Sequence, residues 1–133
     1  MRERSGCIVH LAESIKTRVS IPVVAVNKID TIDLAEDILQ QGKADMIGLG
    51  RPLIADPYLP QKAMTGMLDQ IRPCIYCCQG CLQNVLEHDA PVACSVNPEA
   101  GNEGLYTRKK GEAKKVVIVG AGPAGLQAAL TAA

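Results

Sequence analysis

Five of the six cysteines in this chain lie between Cys74 and Cys94. A short polar stretch later comes the run Val116-Val117-Ile118-Val119-Gly120-Ala121-Gly122-Pro123-Ala124-Gly125. Together these features constrain the fold more than any other part of the sequence. Residues 68–101 are rich in Cys, Pro and Gly and have little periodicity of their own, so they read as a segment organised by a bound group. A glycine-rich turn after an apolar strand is built to receive a pyrophosphate. The pair points to electron transfer.

The 133 residues carry zero formal net charge, 47% hydrophobic side chains and neither Phe nor Trp, which describes an aliphatic α/β core. Neutral charge argues against a nucleic-acid partner. The basic residues at Arg108-Lys109-Lys110 and Lys114-Lys115 have no aromatics between them and read as a solvated linker. Met1–Gly6 is charged and leads into an apolar patch at 7–11 that is too brief for a secretory leader or a membrane span. A cytoplasmic location with reduced thiols is the expectation, and thiols at this density then read as metal ligands.

Residues 11–17 read as the end of a helix, and Ile21–Val26 as a parallel strand buried on both faces. Asp30–Gly42 carries Ile32, Leu34, Ala35, Ile38 and Leu39 at helical spacing, with Asp30 or Thr31 as N-cap and Gly42 in the C′ position. Ala44–Leu49 reads as a second buried strand, completing a β–α–β unit. Gly50-Arg51-Pro52 ends it, Asp56-Pro57 turns, and 59–67 form a helix closing near Gly66. Lys115–Val119 opens a further strand, followed by a helix over Pro123–Ala133. These pieces cannot bury all their apolar faces, so the chain reads as a fragment of a larger protein, unstable and inactive alone.

The spacing Cys74-x2-Cys77-x3-Cys81-x12-Cys94 puts three thiolates on a tight turn or short helix and returns a fourth from a distance, as the four corners of a [4Fe–4S] cubane require. Cys78 complicates this, because positions 74, 77, 78 and 81 also share one helix face. A four-cysteine zinc site and buried unligated cysteines are the alternatives; zinc would favour two separated C-x2-C knuckles, and Cys94 has no cysteine near it in sequence. Cys7 reads as core, and His10 and His88 as isolated, non-ligating histidines.

Gly120-x-Gly122-x-x-Gly125 follows a strand and opens a helix, the context in which such glycines cradle a dinucleotide at Gly120, Ala121, Gly122, Pro123 and Gly125. FAD and NAD(P) are not separable here, because the ribose-binding acid would lie past Ala133. Asn27-Lys28 and Gly50-Arg51 stand at the C-terminal ends of the two parallel strands, where α/β barrels hold phosphate. Two surface cations near turns are an equal reading of Lys28 and Arg51.

Five stretches in order, Ile21–Ile29, Ala44–Pro57, Ile71–Cys77, Cys94–Pro98 and Val119–Gly125, resemble the multidomain branch of the Old Yellow Enzyme class, which includes 2,4-dienoyl-CoA reductase and trimethylamine dehydrogenase. The resemblance implies four regions. Residues 1–70 would be the C-terminal part of an FMN-binding (β/α)8 TIM barrel, 71–101 a [4Fe–4S] segment, 102–114 a linker, and 115–133 the start of a Rossmann-like FAD/NAD(P)-binding domain. It also implies electron flow from NAD(P)H through FAD and the cluster to FMN, which reduces an activated C=C bond of a small unsaturated substrate; amine oxidation is the variant. Carried over by position, Cys74, Cys77, Cys81 and Cys94 would hold the cluster, Lys28, Gly50 and Arg51 the FMN phosphate, and Gly120, Gly122 and Gly125 the FAD pyrophosphate. Cys78 departs from the family, which has Asn there. The early barrel strands, with the acids that protonate substrate, are not in this sequence, so no catalytic residue is assigned and the remainder of the polypeptide is required.

Overall fold

A computed structural model describes residues 4–105 and 111–133. The Arg108–Lys110 part of the expected linker lies outside the described residues. The β–α–β unit is present. Strand β1 (Val24–Ala25) pairs in parallel with β2 (Met46–Ile47), in the register Val24 to Met46 and Ala25 to Ile47. Helix α1 (Val9–Lys16) precedes the pair and α2 (Ile32–Gln40) crosses between the strands. Thr31 caps α2 by accepting the Leu34 amide at 3.2 Å, which contributes about 1 kcal/mol. Gly42 closes it at φ +67°, a left-handed value that suits glycine.

One face of this unit is the core, where Val9, Ala25, Ile29, Ile38 and Ala44 pack with Leu34, Ile47 and Leu49. The expected burial on both strand faces is not observed. Val24, Val26 and Met46 are 45–50% exposed, because no described element covers the second face. The ladder is also shorter than the apolar runs, since a parallel strand extends only as far as its hydrogen-bonded neighbour.

Beyond β2 the sequence reading missed a helix, α3 (Arg51–Ala55). Gly50 and Pro52 had read as terminators, but proline is favoured in the first helical turn, where its missing N–H costs nothing. Helix α4 (Leu59–Met64) follows, then an irregular stretch, a π-helical turn over Gln79–Gln83 and α5 (Asn84–Glu87). Residues 74–78 are not helical, and Tyr76 and Cys78 sit at φ +53° and +61°, so the shared helix face of the cysteines is replaced by a tight turn.

Helix α6 (Pro123–Ala132) forms as expected after the glycine turn. Val116–Val119 makes no ladder, because the described residues supply no neighbouring strand, and its side chains are 36–96% exposed. Among the described residues no helix is long and apolar enough to cross a membrane.

Candidate cofactor site

Two cavities meet at Arg51. The first, about 480 Å3, lies at the C-terminal ends of the strands and is lined by Asn27, Lys28, Gly50, Arg51 and Tyr76 among others. Lys28, Gly50 and Arg51, the residues assigned from sequence to the flavin phosphate, are therefore brought together, with Asn27 beside them. Asn27 and Lys28 have φ of +77° and +51°, consecutive left-handed values in non-glycine residues, a strained backbone of the kind found at ligand sites. The turn is held by the Gly6 amide donating to the Lys28 carbonyl (3.0 Å) and by the Asn27 side-chain amide donating to Cys7 Sγ (3.5 Å). Cys7, read as core, thus orients a residue of the pocket.

Tyr76 was not anticipated here. Its ring lies 4.7 Å from the Arg51 guanidinium and 5.6 Å from Lys28 Nζ, within cation–π range. Burial, then the nearby Asp30 and Cys74, push its hydroxyl up to about 12, against the opposing pull of Arg51. Its Oη is buried and has no hydrogen-bond partner among the described residues.

The second cavity, about 10 Å3, is walled by Cys74, Cys77, Cys78, Cys81 and Cys94, with Arg51 as its one charged neighbour among the described residues. All four cysteines assigned from sequence are gathered there, and Cys78 joins them. None of the six cysteines is in a disulfide. Arg51 donates to Cys78 Sγ at 3.1 Å, and Cys78 in turn donates to the Tyr76 carbonyl at 3.7 Å. Cys77 lies 3.3 Å from the Ser95 hydroxyl, which together with the Gln79 amide draws its thiol below the ordinary value. Burial raises the Cys74 thiol despite the Tyr76 amide it accepts at 3.4 Å. Soft thiols with no carboxylate or imidazole in the wall match the donor set of an iron–sulfur cluster. The cavity is closed down, so the thiols would have to turn outward to admit one. Among the described residues no group of three His, Cys, Asp or Glu side chains is placed to hold a single metal ion.

Three residues that the sequence reading did not single out assemble this wall. Gly80 lets the chain cross itself: a Cβ there would stand 2.8 Å from the Ala93 carbonyl group, and Ala93 donates to the Gly80 carbonyl at 2.6 Å. That crossing sets Cys81 beside Cys94. Asp56, 2% exposed, accepts Lys62 Nζ at 2.6 Å, the Arg72 amide at 2.9 Å and the Tyr58 amide at 3.1 Å. Burial pushes its carboxyl up, but these donors together outweigh it and leave it below the ordinary value. Asn97, 4% exposed, donates to the Ile54 carbonyl at 2.9 Å and accepts from Arg72 Nη1 at 3.1 Å. The segment is therefore pinned to α3 on both sides of its cysteines. Asp56 beside Pro57 read as a turn residue and Asn97 carried no local reading of its own; only their long-range partners reveal the anchors.

At the glycine turn, Gly120 has φ +116°, and a Cβ on Gly125 would overlap the Gly120 carbonyl. Gly122 caps α6 and has open space where its Cβ would be. A left-handed first position, an open second and a crowded third are what the three glycines of a phosphate-binding turn require.

Residues 4–70 match the model of the NADH:flavin oxidoreductase / NADH oxidase family. The chain is 54% identical over 129 residues to a metal reductase of Desulforamulus reducens, covering 96% of this chain and 19% of that protein. It is 48% identical over 134 residues to an NADH oxidase of Thermoanaerobacter brockii, covering 99% of this chain and 21% of that protein. Its fold superposes on a 2-naphthoyl-CoA reductase complex with a TM-score of 0.88 at 37% identity, covering 97% of this chain and 20% of the other. The chain thus spans about a fifth of the length of these relatives. Together the match over 4–70, the likeness to these oxidoreductases and the shared α/β fold show that the chain belongs to the NADH:flavin oxidoreductase / NADH oxidase family.

Proposed function

We propose that this chain is the junction between two flavin-binding parts of an NAD(P)H-dependent oxidoreductase. In this reading residues 1–70 close an FMN-binding barrel, 71–101 hold a [4Fe–4S] cluster, 102–114 link, and 115–133 begin an FAD-binding domain. When bound, these groups supply a path for electrons from NAD(P)H by way of FAD and the cluster to FMN, which reduces an activated C=C bond. The observation that carries the reading is Arg51, which lines both the cation pocket and the cysteine cavity.

The chain's own residues bind and orient. Lys28 and Arg51 supply positive charge for a phosphate at the strand ends, with the Gly50 backbone left open for close approach. Cys74, Cys77, Cys81 and Cys94 supply thiolates, and Asp56 and Asn97 fix the wall that carries them. Gly120, Ala121, Gly122, Pro123 and Gly125 offer the pyrophosphate a helix N-terminus. The exposed Val24, Val26 and Met46 match the inner face of a strand from a closed barrel, where neighbouring strands cover it. A zinc site fits less well, since it would favour two separated C-x2-C knuckles and Cys94 has no cysteine near it in sequence.

Anaerobic titration of the full-length protein with NADH should bleach the flavin bands, and an enoate should restore them. Bleaching by a methylated amine without NAD(P)H would identify an amine dehydrogenase instead. A colourless protein inert to both would refute the reading.

A further inference from the structure

We propose that Tyr76, a residue of the cysteine segment, completes the phosphate pocket: its hydroxyl donates a hydrogen bond to the flavin phosphate, and its ring steadies Arg51 and Lys28 beside it. This rests on the reading of that pocket as the FMN site.

Three observations converge on one place. The Tyr76 hydroxyl is buried without a partner among the described residues, although buried hydroxyls are as a rule satisfied. Two cations, Arg51 and Lys28, lie 4.7 and 5.6 Å from its ring, and Asp30 is the carboxylate that acts on its hydroxyl. The backbone at Asn27, Lys28 and Tyr76 is left-handed, and all three residues line the same cavity. A phosphate there would meet the two cations directly, and the hydroxyl, closed off from the cavity, once the ring turns toward it. The hydroxyl comes from the turn between Cys74 and Cys77, so an intact cysteine segment becomes a condition for holding the flavin.

The test uses the full-length protein, stripped of flavin and titrated with FMN and separately with riboflavin, which lacks the phosphate. Tyr76→Phe removes the hydroxyl alone and keeps the ring over both cations. It should weaken FMN binding about tenfold, leave riboflavin binding unchanged and leave iron content at the wild-type level. Tyr76→Leu, which also removes the ring, should weaken FMN binding further. Unchanged FMN affinity in Tyr76→Phe, an equal loss for both flavins, or a loss of iron would each overturn the inference while leaving the FMN site in place. A wild-type protein that binds neither flavin would instead overturn the reading of the pocket on which the inference rests.

Discussion

The cysteine segment and the glycine turn achieve order in opposite ways. Around the cysteines, side chains far apart in sequence are tied together: Asp56 reaches the Arg72 amide, Asn97 reaches the Ile54 carbonyl, and Gly80 lies against Ala93. At the glycine turn every defining feature is local. Gly120, Gly122 and Gly125 set the backbone among themselves, and the apolar residues before them stay exposed. A locally encoded site can be read as a motif, whereas a site built from long-range anchors must be read as a fold.

That contrast can be broken by substitutions that separate the two halves. The largest effect belongs to Cys81→Ser, which should take the full-length protein from about four irons per chain to almost none by metal analysis, while Cys78→Ser keeps them; the reverse would reassign the ligands. Next comes Gly125→Ala. Its methyl group would overlap the Gly120 carbonyl, so FAD content should fall about tenfold with iron unchanged. Loss of iron in this variant would show that the two regions depend on each other.

Asp56→Ala should destabilise the protein by about 3 kcal/mol in denaturant titration, since Lys62 and two backbone amides lose a buried acceptor. The same carboxylate sets a pH dependence. Its folded value lies below the ordinary 3.8, so its contribution is complete above that pH and is lost as pH falls through the folded value. In Asp56→Ala the acid-side loss of stability should therefore be shallower than in wild type. Gly80→Ala should cost about 1–3 kcal/mol, because the backbone must open at Ala93. Iron content should fall in that variant as Cys81 and Cys94 move apart, and FAD content should not.

Much of the first half was legible because its signals are local and periodic. Thr31 as a cap, Gly42 as the closing residue and the parallel pairing of the two strands follow from patterns spanning a few residues. Helix α3 was hidden because Pro52 ends helices and also begins them, and the choice depends on what surrounds it. The helical face of the cysteines was a false pattern: left-handed Tyr76 and Cys78 break it, and the preference of a side chain for that backbone is too weak to read in advance. Lys28, Gly50 and Arg51 could be placed at strand ends, but the tyrosine that joins them comes from another segment. Its signal in sequence was no more than an aromatic residue between two cysteines.

The central claim is that the cysteine cavity holds a cluster beside a flavin pocket. Iron, acid-labile sulfide, zinc and FMN counted on the full-length protein purified without oxygen test it most directly. The predicted result is about four irons and four sulfides per chain together with FMN. One zinc, no sulfide and a colourless protein would contradict it.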